Sequence, residues 1–279
     1  MDYPVNATVI LLVPIRHVGA TRRAGDLTTG HDRDMAVNLR GVTTVLLPGT
    51  GSDDDFVYRA FSTSLHEVGA VVVTPPPQPH RLVDGFREEL DGAARAAHPQ
   101  PIAVGGVSIG AAVAAAWALS HPSQVVAVLA ALPAWTGEPD AAPAAQAARH
   151  SAELLRREGL VAATKQMQAS SPAWLAEELT RSWVGQWPTL PDAMDEAARY
   201  IAPTTAQLER LTVPMGVVSA TDDPVHPVEV GFEWVSAAPR ASLHTVTLDQ
   251  IGADPGVLGA QCLAALWDAD DPSRPTRVH

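Results

Sequence analysis

Gly106-Val107-Ser108-Ile109-Gly110 sets a serine midway between two glycines, with an apolar run before it and an alanine-rich run after it. A G-x-S-x-G pentapeptide with those flanks reads as a strand, a sharp turn carrying the serine, and a helix. At such a turn the serine backbone is strained and its hydroxyl is pushed up at an exposed sheet edge. Both neighbours two residues away must be small, because a side chain there collides with the turn. The N-terminus of the new helix aims free N–H groups and a positive dipole at the same spot. The chemistry such a serine serves is nucleophilic attack, if a base takes its proton. The plainer reading is a glycine-rich turn with an incidental serine.

A base and an acid therefore have to be found. Thr221-Asp222-Asp223-Pro224-Val225-His226-Pro227 holds two carboxylates and an imidazole in one short segment. Either aspartate also suits the simpler task of capping a helix, and a proline is at home in a first helical turn. Of the ten histidines, His244 falls inside a strand pattern and reads as structural. His66, His98 and His121 stand near helix ends, His150 in a helical stretch and His279 at the terminus. His17, His31 and His80 occupy loops, His80 being the best placed of the three.

The rest of the composition excludes several chemistries. The chain of 279 residues is 46% hydrophobic, ample for one large core, and carries a formal charge of −12. Only 19 residues are basic, so nothing offers a footprint for nucleic acid or an anionic membrane. The one lysine, Lys165, follows Ala163-Thr164 rather than a glycine-rich loop, so the phosphate-cradling P-loop is absent. A single Cys262 makes neither an intrachain disulfide nor a thiolate metal site, and reads as a core residue in a reducing compartment. Asp53-Asp54-Asp55 is a solvated helix start rather than a metal cluster. No cofactor or metal is called for. Met1–Pro4 lacks the cationic region of a secretory signal, and the apolar run Ala7–Val13 is too short to span a bilayer. Ile102–Leu119 is nearly long enough, but Gly105, Gly106, Ser108 and Gly110 interrupt it. The expectation is a cytoplasmic protein acting on a small molecule, with no membrane span and an oligomeric state left open.

The elements that must position these residues alternate. Strands are predicted at Thr8–Val13, Thr43–Leu47, Ala70–Thr74, Ile102–Val107, Val125–Ala131, Met215–Ser219 and Leu243–Leu248. Helices are predicted at Val57–Val68, Leu82–Ala97, Ala111–Leu119, Val228–Ala237 and Val257–Trp267. Such alternation implies an α/β domain on a mostly parallel sheet. From Trp135 to Leu211 the rhythm breaks into proline-punctuated helix holding four of the seven tryptophans: Trp135, Trp174, Trp183 and Trp187. Because strand and helix resume at Val213, this stretch reads as a helical cap inserted in one domain spanning 1–279. Its tryptophans line an apolar acyl pocket or fill a core.

The elbow in this setting resembles the α/β-hydrolase fold family, over nearly the whole chain. The resemblance implies an oxyanion loop at Leu46-Leu47-Pro48-Gly49-Thr50-Gly51, where family members more often carry His-Gly than Pro48-Gly49. It assigns the oxyanion donors to the backbone N–H groups of Thr50 and Ile109. It places the acid at Asp223 rather than Asp222, four residues before the proline that opens the next helix. The family histidine is expected after the last strand, where Asp249–Pro255 contains none. His226 then becomes the candidate base, oriented by Asp223 or Asp222, or by Asp254 in an exchanged arrangement. The alternatives are a pocket-lining His226 and another of the histidines as the base. The implied activity is a serine hydrolase cleaving a carboxylic ester or related acyl bond of an apolar substrate. The other readings are a ligand-binding pseudoenzyme and a cofactor-free lyase or transferase.

Overall fold

The computed structural model describes residues 37–271. In chain order these form β1 (Thr43–Leu47), α1 (Asp54–Glu67), β2 (Val71–Val73), α2 (Leu82–Ala97), β3 (Ile102–Val107), α3 (Ile109–Ser120) and β4 (Val125–Ala131). Four helices follow: α4 (Pro143–Ser170), α5 (Ala173–Gln186), α6 (Leu190–Ala197) and α7 (Thr205–Leu208). The chain then returns to β5 (Met215–Ala220), α8 (Val228–Ala237), β6 (Ala241–Val246), α9 (Leu248–Ala253) and α10 (Gly256–Asp270). The predicted strand Thr8–Val13 and His17, His31 and His279 lie outside the described residues.

All six strands pair in parallel, in the order β2-β1-β3-β4-β5-β6. Parallel sheets need both faces covered, so the central strands are apolar runs rather than alternating patterns. β3 and β5 are buried at every residue. One face packs on α1 and α10 through Phe56, Phe61, Leu258, Cys262 and Leu266. The other packs on α2, α3 and α8 through Leu82, Phe86, Leu90, Val113 and Trp234. The fit is close: a Cβ on Gly216 of β5 would stand 2.1 Å from the Cys262 carbonyl oxygen of α10. Burial pushes the Cys262 thiol far above its ordinary range, which fits an inert core residue.

Helix α2 spans the residues its pattern predicts, burying Leu82, Val83, Phe86, Leu90 and Ala94 along one stripe. Trp117 of α3 donates its indole N–H to Asp91 of α2 at 2.8 Å, joining the two helices. Several boundaries differ from the sequence reading, and two of the differences have a capping residue as their cause. Helix α1 begins at Asp54 rather than Val57 because the Asp53 carboxylate accepts the Phe56 N–H at 3.0 Å. Strand β6 stops at Val246 rather than Leu248, because Thr247 and Gln250 form a reciprocal capping box that starts α9. The segment expected as loop at Asp249–Pro255 is thus mostly helix.

No strand occurs among the described residues between β4 and β5. Helix α4 breaks at Gly159, where φ is +79°. Around it Leu154, Leu155, Trp183, Leu190 and Met194 make a small core shared by α4, α5 and α6. No helix among the described residues is long and apolar enough to cross a membrane.

The winding direction reverses between β1 and β3. The chain leaves β1 for β2 on one side and returns to β3 on the other. In open parallel sheets, ligands bind at such a switch point, in the crevice beyond the carboxyl ends of the two strands. Here the residues at that crevice are Pro48–Gly51 after β1 and Ser108 after β3.

Candidate active site

Ser108 is the single residue between β3 and α3, with φ +56° and ψ −117°. A non-glycine residue at positive φ costs on the order of 1–2 kcal/mol and persists only where its surroundings enforce it. Here the Ser108 N–H donates to the Ala131 carbonyl at 2.9 Å, and its own carbonyl accepts from Ala112 at 3.2 Å. The two flanking glycines are sterically required. A Cβ on either Gly106 or Gly110 would lie 2.3 Å from the Leu47 carbonyl oxygen. The elbow is therefore wedged against the end of β1.

The expected exposure of the serine is corrected by the structure: Ser108 is only 7% exposed. Gly49 packs against its Cβ, close enough that a side chain at Gly49 would be in contact at 3.4 Å. The chain after Gly49 turns back on itself, with the Ser52 N–H on the Gly49 carbonyl at 3.1 Å and Gly51 at φ +72°. Helix α5 reaches over from the helical stretch between β4 and β5. Trp183, near its end, packs on Gly51, and Trp174, near its start, packs on Gly252 of α9. A 14-residue helix is about 21 Å long, and β1 and β6 lie four strand spacings apart, about 19 Å. Helix α5 accordingly bridges the loops that leave β1 and β6, with β3 and β5 lying between those strands in the sheet.

The loop after β5 supplies the partner. His226 Nε2 is 3.0 Å from Ser108 Oγ, and His226 Nδ1 is 2.8 Å from Asp223 Oδ2. The other Asp223 oxygen, Oδ1, accepts the backbone N–H groups of Val225 at 2.8 Å and His226 at 3.2 Å. One carboxylate thus folds the loop and fixes the imidazole-bearing residue within it, with the ring nitrogen as its third partner. Asp222 and Asp254 are bonded elsewhere. Asp222 accepts the Leu248 N–H at the start of α9, and Asp254 the Gly256 N–H at the start of α10, each at 2.8 Å. His244 bonds to Gln261 and Asp268 of α10, as a structural strand histidine does. His121 stacks on Trp117, and His80 is exposed.

Burial pushes the Asp223 carboxyl up, but the His226 hydrogen bond and charge, with the two backbone N–H donors, outweigh it and hold it below the ordinary carboxylate range. The unfolded value is about 3.9, so the folded carboxylate adds stability above about pH 4 that is lost as pH falls through the lower folded value. The stability difference between the wild type and Asp223→Asn should therefore be largest at neutral pH and shrink below about pH 4. Urea unfolding at stepped pH measures it, and a difference that does not vary with pH would contradict this assignment.

Helix α5 is what the sequence left unplaced. Gln186 donates to the Ser52 carbonyl at 2.8 Å, and Arg181 pairs with Asp53 at 2.6 Å. Neither residue sits in a recognisable motif. Of the four tryptophans in this region, Trp135 and Trp183 are core residues, Trp174 packs against the core, and Trp187 is exposed.

The sequence profile of the serine aminopeptidase S33 family, a group of hydrolases, matches residues 76–251, a span holding Ser108, Asp223 and His226. No curated protein sequence matches significantly. Among solved structures, a hydrolase from Oleispira antarctica superposes with a TM-score of 0.64 at 14% identity, covering 86% of this chain and 98% of its own. A thermophilic esterase from Thermogutta terrifontis gives 0.61 at 17% identity, over 83% and 91%. An enol-lactonase from Burkholderia xenovorans gives 0.55 at 18%, over 75% and 84%. These likenesses establish the α/β-hydrolase fold.

Proposed function

Since the chain belongs to the serine aminopeptidase S33 family of hydrolases, we propose that it cleaves a carboxylic ester or related acyl bond through an acyl-enzyme on Ser108. The observation that carries this reading is the unbroken hydrogen-bond chain from Ser108 Oγ through the His226 ring to Asp223. It also favours hydrolysis over the ligand-binding alternative, which has no use for an oriented imidazole. In the first step Ser108 Oγ attacks the substrate carbonyl carbon while His226 Nε2 takes the hydroxyl proton. The imidazole then returns that proton to the departing alcohol, and the acyl group stays on Oγ. Water attacks the acyl-enzyme in the same manner, with His226 again as base, and releases the acid. Asp223, held ionised, donates nothing; it fixes the ring tautomer and balances the imidazolium.

The oxyanion that forms during attack has two donors in reach of this design, the backbone N–H groups of Ile109 and Thr50. Ile109 opens α3, so its N–H belongs to the set that a helix leaves without intrahelical partners. Thr50 lies in the turn that packs on Ser108. We take residues 135–211 to act as a lid, since α5 bridges the site and Ser108 is buried. An apolar acyl group then binds beneath it.

A fluorophosphonate probe tests the reading, because it reacts readily only with an activated serine. Labelling of Ser108, together with turnover of p-nitrophenyl esters, is the expected result. A parallel panel of aminoacyl p-nitroanilides asks whether amides are also cleaved. Absence of both labelling and turnover across the panels would return the protein to the ligand-binding alternative.

A further inference from the structure

The last turn of α5 is bonded residue by residue to the turn that follows β1. Gln186 ends α5, is 8% exposed, and donates Nε2–H both to the Ser52 carbonyl and to Ser182 Oγ, each at 2.8 Å. A carbonyl can only accept, so the amide orientation is fixed by its partner. Trp183, 3% exposed, brings its indole nitrogen to 2.9 Å from where a Cβ on Gly51 would stand. Arg181 forks onto both Asp53 oxygens, at 2.6 and 3.1 Å. Gly51, Ser52 and Asp53 thus each meet one side chain of α5.

That turn needs outside support. Two of its four residues, Gly49 and Gly51, are glycines, which lose the most conformational freedom when fixed. Its own closure is one hydrogen bond, Ser52 N–H to Gly49 carbonyl. An oxyanion donor is effective only within about 2.7–3.1 Å of the developing charge, and an error of about 1 Å can lose a hundredfold. Resting on the serine-hydrolase reading, we propose that Gln186 is a positioning residue: its bond to the Ser52 carbonyl holds the Gly49–Ser52 turn so that the Thr50 N–H faces the oxyanion. Closing α5 over the substrate and completing the oxyanion site are then one event. An open lid leaves Ser108 with a base but with a loosened oxyanion turn.

The test uses the full-length protein and two substitutions at one position. Gln186→Met keeps the length and volume of the side chain but removes the donor. Gln186→Lys keeps a donor. Gln186→Met should lower kcat about ten- to a hundredfold on a p-nitrophenyl ester, with KM within about threefold of wild type. Its amides in the 49–53 segment should exchange faster with solvent deuterium, while the melting temperature falls by no more than about a few degrees. Gln186→Lys should stay near wild type in both. Should the methionine variant fail to fold, Gln186→Leu, apolar and lacking any donor, takes its place with the same expectation.

Wild-type exchange and kcat in Gln186→Met would overturn the proposal. So would faster exchange with unchanged kcat, or a lysine variant as impaired as the methionine one. If the wild type shows no Ser108-dependent turnover, the hydrolase reading falls. The exchange measurement then still decides whether Gln186 holds the turn.

Discussion

Replacing Ser108 with Ala is expected to lower kcat by a factor on the order of 10^4–10^6 and to abolish fluorophosphonate labelling. The size of the loss follows from what goes missing. Without Oγ no acyl-enzyme forms, and only direct attack by water remains, helped by the oxyanion donors and by substrate binding. The fold should hardly notice. Alanine accepts the same backbone angles at no greater cost than serine, and the elbow is enforced by Leu47 and Ala131 rather than by the hydroxyl. The hydroxyl's one bond is to His226, whose side chain is 18% exposed and can take a water instead. A stability change within about 1 kcal/mol is expected by urea unfolding. Ester turnover that survives in this variant, once contaminating esterase is excluded, would remove the elbow from the mechanism.

The elbow and the acid loop were legible in the sequence because each depends on local geometry. Glycines flank Ser108 since a Cβ at either would overlap the Leu47 carbonyl, and that requirement is written as G-x-S-x-G. Asp223 and His226 stand three residues apart in one loop, so their contact needs no long-range information. Strands β3 and β4 and helices α2 and α8 match their predicted bounds because each has an apolar run or stripe closed by a clear break. What the sequence concealed depends on packing between distant elements. That Ser108 is buried follows from Gly49 and His226, and no pattern around residue 108 reports on either. The pairing of Gln186 with Ser52 joins residues 134 apart, and a lone glutamine at a helix end has no signature. The early end of β6 was available in principle: Thr247-Leu248-Asp249-Gln250 is a capping box, but it follows a hydrophobic strand run that masks it.

The base proposed here, His226, stands away from the position that the family resemblance implies, and its variants are expected to be the most informative. His226→Ala should lose on the order of 10^2–10^4 in kcat, while His244→Ala, at a residue bonded to α10, should leave the chemistry intact. Geometry explains why the loop after β5 suffices. It leaves a strand two spacings from β3, about 10 Å, whereas β6 is three away, about 14 Å. Asp223→Asn sharpens the assignment beyond the loss of a charge. In the wild type Oδ1 is held by the N–H groups of Val225 and His226, so the carboxylate is fixed with Oδ2 on the ring. An asparagine must keep its oxygen on those two donors, which turns its NH2 toward His226 Nδ1. That nitrogen then accepts, the ring proton moves to Nε2, and Nε2 can no longer take the Ser108 proton. Asp223→Asn is therefore expected to cost up to about 10^4 in kcat with KM little changed. Asp254→Asn, which alters a residue bonded to Gly256, should remain near wild type. Equal losses in the two asparagine variants would break the link between Asp223 and the ring. A fully active His226→Ala would mean that some other group takes the Ser108 proton.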